Sequence, residues 1–223
     1  MRLTVHIFQT LDGVMQSPGH PQEDVRGGFT AGGWLPALAD EDFGEIVDSW
    51  YRRTEALLFG RNTWETMQGH WPQVTDPEDL VAAKLNTLPK HLITSRPLDR
   101  EWAGTTVLTP SKPEGSAARP SVMGAVAELK AQPGGELQVH GCTRLVHALH
   151  RAELIDEYRL ITFPVTVGAG ARTFPQDARP SGMQVIDSRR TSMGAFYTAL
   201  RPAPFQQAGV VVVDGKDTVR ATT

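Results

Sequence analysis

Three times in this chain a short apolar run ends in glycine or small hydroxyl residues and is followed at once by an arginine: "EALLFGRNTWETM" at 55–67, "HLITSRPL" at 91–98 and "ELQVHGCTRLVHALH" at 136–150. Apolar runs of four to six residues suit strands buried on both faces, and the amphipathic stretches after the first and third suit helices that cover them. Strands joined through helices run parallel, and a parallel sheet needs a helical layer on each side. This repeated junction constrains the fold more than any other feature.

The rest of the chain extends the same alternation. "RLTVHIF" (2–8) reads as a strand, and the Asp-Gly of "QTLDGVMQSPGHP" ends it and delivers Asp12 to a loop. Residues 17–36 are rich in Gly and Pro and long enough to form a functional loop. In "DEDFGEIVDSWYRR" (40–53), Phe43, Ile46, Val47 and Trp50 recur at helical spacing behind an acidic first turn. The periodicity then predicts a strand at 55–59, a short helix from Arg61, a helix near 78–86, a strand at 90–95 and a weak strand at 105–109. After the turn-rich "PSKPEGSAARPS" come a helix at 121–131, a strand at 136–140, a helix at 143–152, a strand at 157–163 and strands at 183–190 and 194–201. The expected architecture is α/β, a three-layer α/β/α domain with a mostly parallel central sheet and an antiparallel C-terminal edge. Residues 1–202 form that domain. In 203–223, "PAPFQQ" reads as a linker and "GVVVVDG" as an added edge strand or a tail that pairs with another subunit.

Composition narrows the class of partner. The 223 residues suffice for one core, and 22 Lys+Arg against 25 Asp+Glu, with no block of either sign, argue against nucleic acid and membrane surfaces. A small polar ligand fits better. The single cysteine, Cys142, excludes an intrachain disulfide framework and a multi-cysteine metal site, which places the protein in the cytoplasm by expectation. The N-terminus does not read as a signal peptide, and no apolar run approaches a membrane span.

At the first junction, Gly60 permits a tight turn and the following helix presents unpaired N–H groups with partial positive charge, where a phosphate is favoured. Arg61 adds a charge-assisted fork, and Asn62 and Thr63 add short polar donors. Thr94, Ser95 and Arg96 offer similar chemistry at the second junction, and Gly141 and Arg144 at the third. Ligands of open α/β sheets collect at the carboxyl ends of the strands, so three such ends can converge on one extended phosphorylated ligand such as a dinucleotide. Taken singly, each is also an ordinary strand end, and none carries the Gly-x-Gly-x-x-Gly fingerprint of a Rossmann unit. His140, Cys142, His147 and His150 cluster in sequence, but two helix histidines, a strand-end histidine and a buried thiol explain them better than a metal does.

In this order, "LLFGRNTWETM", "HLITSRPL" and "LQVHGCTRLVHALHRAELIDEYRLITFPVTVGAGARTF", after a first strand ending in "LDG", resemble the dihydrofolate reductase superfamily. More closely, residues 2–201 are similar to the family of the C-terminal reductase domain of the bifunctional riboflavin-biosynthesis deaminase-reductase and its stand-alone bacterial members. The resemblance implies an NADPH-dependent oxidoreductase that passes a hydride to a small heterocyclic or carbonyl substrate of the pterin or pyrimidine kind. The alternative on the same fold is a non-catalytic NADPH-binding sensor or partner module. Carried onto this sequence, Gly60, Arg61, Asn62 and Thr63 would hold the phosphates, and Thr94, Ser95 and Arg96 the adenine ribose with its 2′-phosphate. His140, Gly141, Cys142, Thr143, Arg144 and Leu145 would line the second phosphate turn. Asp12 matches the family's acidic residue near the nicotinamide or substrate, and Glu45 and Asp48 lie where folate-reducing relatives keep a substrate carboxylate. The relatives are commonly homodimers. His140 stands where the riboflavin enzyme has the glutamate of a Glu-Gly-Gly motif, which points away from the riboflavin precursor. Gly141-Cys142-Thr143 replaces the Gly-Ser-Gly of stand-alone relatives, and the zinc-deaminase signature is absent.

Overall fold

The computed structural model describes residues 1–110 and 119–221, so most of the turn-rich 110–121 segment lies outside the described residues. Strand β1 (Arg2–Thr10) leads through a long loop to helix α1 (Glu41–Tyr51), followed by β2 (Thr54–Gly60), α2 (Arg61–His70) and α3 (Leu80–Thr87). Then come β3 (Lys90–Ile93), β4 (Thr105–Val107), α4 (Val122–Ala131), β5 (Glu136–His140), α5 (Thr143–Arg151) and β6 (Glu157–Phe163). The chain ends in β7 (Gly182–Arg190), β8 (Phe196–Ala203), β9 (Ala208–Val213) and β10 (Lys216–Ala221).

Eight strands form one sheet in the order β4-β3-β2-β5-β1-β6-β8-β7. The first six in that order run parallel, and β8 and β7 close one edge antiparallel, so the expected mixed sheet is present. Side-chain alternation sorts the layers. Leu3, Val5 and Ile7 of β1 join Leu137 and Val139 of β5 beneath Val126 and Leu129 of α4 and Val146 and Leu149 of α5. On the other face Ile46 and Trp50 of α1 pack on Ile161, Phe163 and Tyr197, while Trp64 of α2 and Leu85 of α3 pack on Leu57, Phe59 and Leu92. Each such buried side chain contributes about 1.5–3 kcal/mol.

Element ends follow local chemistry. Asp40, Asp79 and Ser121 cap α1, α3 and α4 by accepting the N–H of Phe43, Ala82 and Gly124 at 2.8, 2.8 and 2.9 Å. Strand β8 starts at Phe196, two residues later than the pattern suggests, because the turn from β7 runs through Gly194 at φ 88°. The valine run at 209–215 behaves differently from an edge strand of the main sheet. Asp214 and Gly215, both at positive φ (52° and 75°), make the two-residue turn that right-twisted hairpins favour, so β9 pairs with β10 in a sheet of its own.

Candidate functional site

Because β2 and β5 are neighbours, the helices that follow them start side by side at the carboxyl edge of the sheet. A side chain on Gly60 would place its Cβ 2.4 Å from the Cys142 sulfur, so the two turns touch and any larger residue at 60 would have to displace Cys142. Gly141 and Cys142 follow each other at φ 72° and 67°, so the chain turns sharply just before α5. Around Gly141 the backbone is open, its nearest neighbours being Met15 at 3.9 Å and the Thr63 hydroxyl at 4.0 Å from a virtual Cβ. Neither α2 nor α5 has a side-chain cap, unlike α1, α3 and α4, so their first N–H groups keep their capacity for an anion. This donor set fits a pyrophosphate.

Other expected residues are placed less uniformly. Arg61 is mostly buried and committed to protein. It pairs with Glu65 at 2.5 Å and donates to Thr94 Oγ1, Arg96 O and Pro97 O at 3.4, 3.1 and 2.7 Å, bracing α2 against the segment after β3. That brace brings Thr94, Ser95 and Arg96 next to the start of α2, with Ser95 and Arg96 exposed. Thr143 begins α5, Arg144 is exposed, and Leu145 sits in the core, so only its main chain faces the turn.

His140 points beneath the sheet instead. Its ring lies between His6 at 4.7 Å and Tyr51 at 4.8 Å, and its Nε2 meets Gln138 Oε1 at 3.1 Å. Burial first, and then the Arg159 charge, lower its pKa to about 3. The ring is therefore neutral.

Asp12 is held as a clasp. Its carboxylate accepts from the Thr10 hydroxyl at 2.6 Å and from the N–H groups of Val167 and Gly168 at 3.3 and 2.8 Å, while Arg172 donates to the Asp12 carbonyl. The Thr10 hydrogen bond, more than the backbone donors, keeps this carboxyl below its usual range. Glu45 is exposed on α1 and Asp48 lies 3.5 Å from Arg52, so neither is gathered with Asp12. His147 and His150 point to separate partners, the Arg172 carbonyl at 2.9 Å and the Tyr158 hydroxyl at 2.7 Å. No group of three His, Cys, Asp or Glu among the described residues could hold a metal ion.

One residue near these turns is absent from the sequence reading: Arg26, on the loop after β1, sits against Asn62. Glycine-rich loops carry no periodicity, so only the arginine itself, amid Gly and Pro, could have signalled it. Trp34 of the same loop, which the sequence leaves as core packing or as cover for a planar ring, clusters with Phe8, Phe43 and Phe163, with contacting centroids 5.3–6.4 Å apart, in the core.

A profile of the RibD C-terminal domain family matches residues 2–197. Among solved structures the chain is similar to a putative riboflavin biosynthesis protein of Shewanella sp. PV-4, with a TM-score of 0.64 at 19% identity over 91% of this chain and 99% of that one. It is also similar to a pyrimidine reductase-like protein of Corynebacterium diphtheriae, with a TM-score of 0.62 at 11% identity over 91% and 92% of the two chains. A dihydrofolate reductase of Enterococcus faecalis, solved as a complex with NADP(H), gives a TM-score of 0.54 at 14% identity over 90% and 96%. These likenesses establish the dihydrofolate reductase-like fold.

Proposed function

The chain belongs to the RibD C-terminal domain family, and on that premise we propose that it is an NADPH-dependent reductase acting on a small heterocyclic or carbonyl substrate of the pterin or pyrimidine class. The observation that carries the reading is the pair of uncapped helix N-termini, α2 and α5, in contact through Gly60 and Cys142. The N–H groups at 61–63 and 142–144 would hold the pyrophosphate, and Ser95 and Arg96 the ribose with its 2′-phosphate. When bound, the cofactor supplies the hydride. The chain's own residues align the reactants and exclude water. Asp12 stays ionised and ties β1 to the 167–168 segment, fixing the floor on which a substrate ring would lie.

The protein would work in the cytoplasm as a homodimer, with the exposed β9–β10 hairpin seated on a second copy. No helix among the described residues is long and apolar enough to cross a membrane.

Parallel titration with NADPH and NADH, read by nicotinamide fluorescence, tests the reading. Arg96 is exposed and no side-chain bond ties it to the fold among the described residues, so Arg96→Ala isolates the 2′-phosphate contact. We expect saturable NADPH binding, weaker NADH binding, and about a tenfold rise in the NADPH Kd for the variant with NADH unaffected. Equal affinity for both dinucleotides would remove Arg96 from the site. NADPH binding without oxidation by any heterocyclic or carbonyl acceptor would move the reading to a sensor module.

A further inference from the structure

Arg26 reaches from the loop between β1 and α1 to the N-terminus of α2. Its backbone carbonyl and that of Asp24 each accept from the Gln16 side-chain amide at 3.0 Å, and Gln16 Oε1 accepts the Ala171 N–H at 2.9 Å. The segment is thus fastened to the chain beneath it. Gly27 and Gly28, at φ 69° and 74°, turn the backbone away immediately afterwards. The guanidinium lies along Asp24, with Nε 2.7 Å from Oδ1 and Nη2 on Oδ2. Its outer nitrogens face Asn62, whose amide, turned so that its oxygen meets them, accepts from Nη1 and, at 3.0 Å, from Nη2. Asn62 is the second residue of α2 and Cys142 is the N-cap of α5, and the turn at Gly60 packs on Cys142. One loop side chain therefore stands at the start of α2, where that helix approaches the α5 turn.

We propose that Arg26 is the loop-side ligand of the cofactor's pyrophosphate, opposite the two helix N-termini. The assignment rests on the reductase reading above and adds to it a residue outside the three strand-end junctions. Helix N-termini supply partial positive charge from one wall, and a guanidinium facing them supplies a full charge and a planar fork that matches phosphate oxygens. Availability favours this arginine over the other. The Arg26 side chain is 60% exposed, whereas that of Arg61 is 14% exposed and bonded to Glu65, Arg96 and Pro97. Asp24 holds one edge of the fork, and the outer edge, bonded to Asn62, would exchange that amide for phosphate oxygens.

The test compares two ligands on the full chain: NADPH, and adenosine 2′-monophosphate, which keeps the adenosine and its 2′-phosphate and lacks both phosphates of the pyrophosphate. Loss of a charge-assisted hydrogen bond predicts that Arg26→Gln raises the NADPH Kd roughly ten- to hundredfold, while the adenosine 2′-monophosphate Kd stays within about twofold. The salt dependence of NADPH binding should flatten in the same variant. Arg26→Lys, which keeps the charge and loses the fork, should fall between. An unchanged NADPH Kd in Arg26→Gln overturns the assignment. An equal loss for both ligands also overturns it, because that is the signature of a disturbed cradle. Should Arg26→Gln fail to fold, Arg26→Lys decides by the same comparison. If the unaltered protein binds no NADPH, the reductase reading falls and this assignment with it.

Discussion

A methyl group at position 60 would meet the Cys142 sulfur at 2.4 Å and its Cβ at 3.2 Å. Overpacking of this kind costs about 1–3 kcal/mol, so Gly60→Ala should lower the unfolding free energy by that order. Cys142→Gly removes the obstructing atoms and suits the left-handed backbone at φ 67°. Adding it to Gly60→Ala should therefore restore most of the loss, a coupling that denaturant unfolding of the two single variants and the double variant would measure. Strict additivity would show that the two turns do not press on each other. At this scale the sequence shows Gly60, Arg61 and Gly141 as special because each interrupts a periodic run. The Glu65 partner of Arg61 stands four positions on and is local, but the sequence is silent on the 96–97 carbonyls, which come from a segment more than thirty positions away. Asp12 is legible as a loop carboxylate, whereas its bonds to Val167 and Gly168 depend on a chain crossing that no local pattern encodes.

Strand faces show the same division between what is local and what is assembled. The apolar members of β1, β5 and β6 mark out one core face, yet the opposite face under α1 collects Thr4, His6, Glu136, Gln138, His140, Glu157 and Arg159, all buried. Arg159 pairs with Glu136 at 2.7 Å and Glu157 at 2.6 Å, and Arg2 joins Glu136 at 2.6 Å. Burial alone would raise Glu136, but Arg159, Arg2 and Gln138 outweigh it and bring the carboxyl to about 2. His140, facing His6 on β1, Arg159 on β6 and Tyr51 on α1, titrates near 3 when folded and near 6.5 when unfolded. His6 is lowered as well, by burial and then by His140. The signs differ between the two kinds of group. In the histidine window the unfolded chain binds more protons than the folded one, so stability falls as pH drops below about 6.5. The Glu136 contribution holds above its ordinary value of 4.5 and is lost only as pH falls from there toward 2. Thermal melts across pH should therefore decline first between about 6.5 and 4.5, and His140→Gln should make the decline shallower from about 6.5 down to about 3, with the His6 and Glu136 shares remaining. An identical slope in the variant would assign the acid sensitivity elsewhere. Alternation in "ELQVH" and "EYRLITF" shows that these residues share faces, but β1 lies between the two strands, so only the sheet order brings their charges together.

For the molecule as a whole, the alternation of strands and helices made the layers legible from sequence, and the antiparallel edge followed from consecutive strands without a helix between them. The β9–β10 hairpin was half legible: its valines read as a strand, while "KDTVRA" is too polar to announce a second one. Val210, Val212 and Val219 of this hairpin are 68, 72 and 72% exposed, and a lone two-stranded sheet is marginal in water. Deleting residues 206–223 should leave the eight-stranded sheet folded and convert the proposed homodimer to a monomer, as light scattering would report; a dimer that survives the deletion must be built elsewhere. Strand β1 has a different consequence, one that concerns synthesis. It is the earliest strand among the described residues, yet its neighbours in the sheet are β5 and β6, which begin at Glu136 and Glu157. At ribosomal speeds of ~5–20 residues per second, Leu3, Val5 and Ile7 wait roughly ten seconds or longer without a partner strand. A nascent chain stopped before β5 would carry its central strand bare, and this protein's demand on chaperones should be concentrated in that interval.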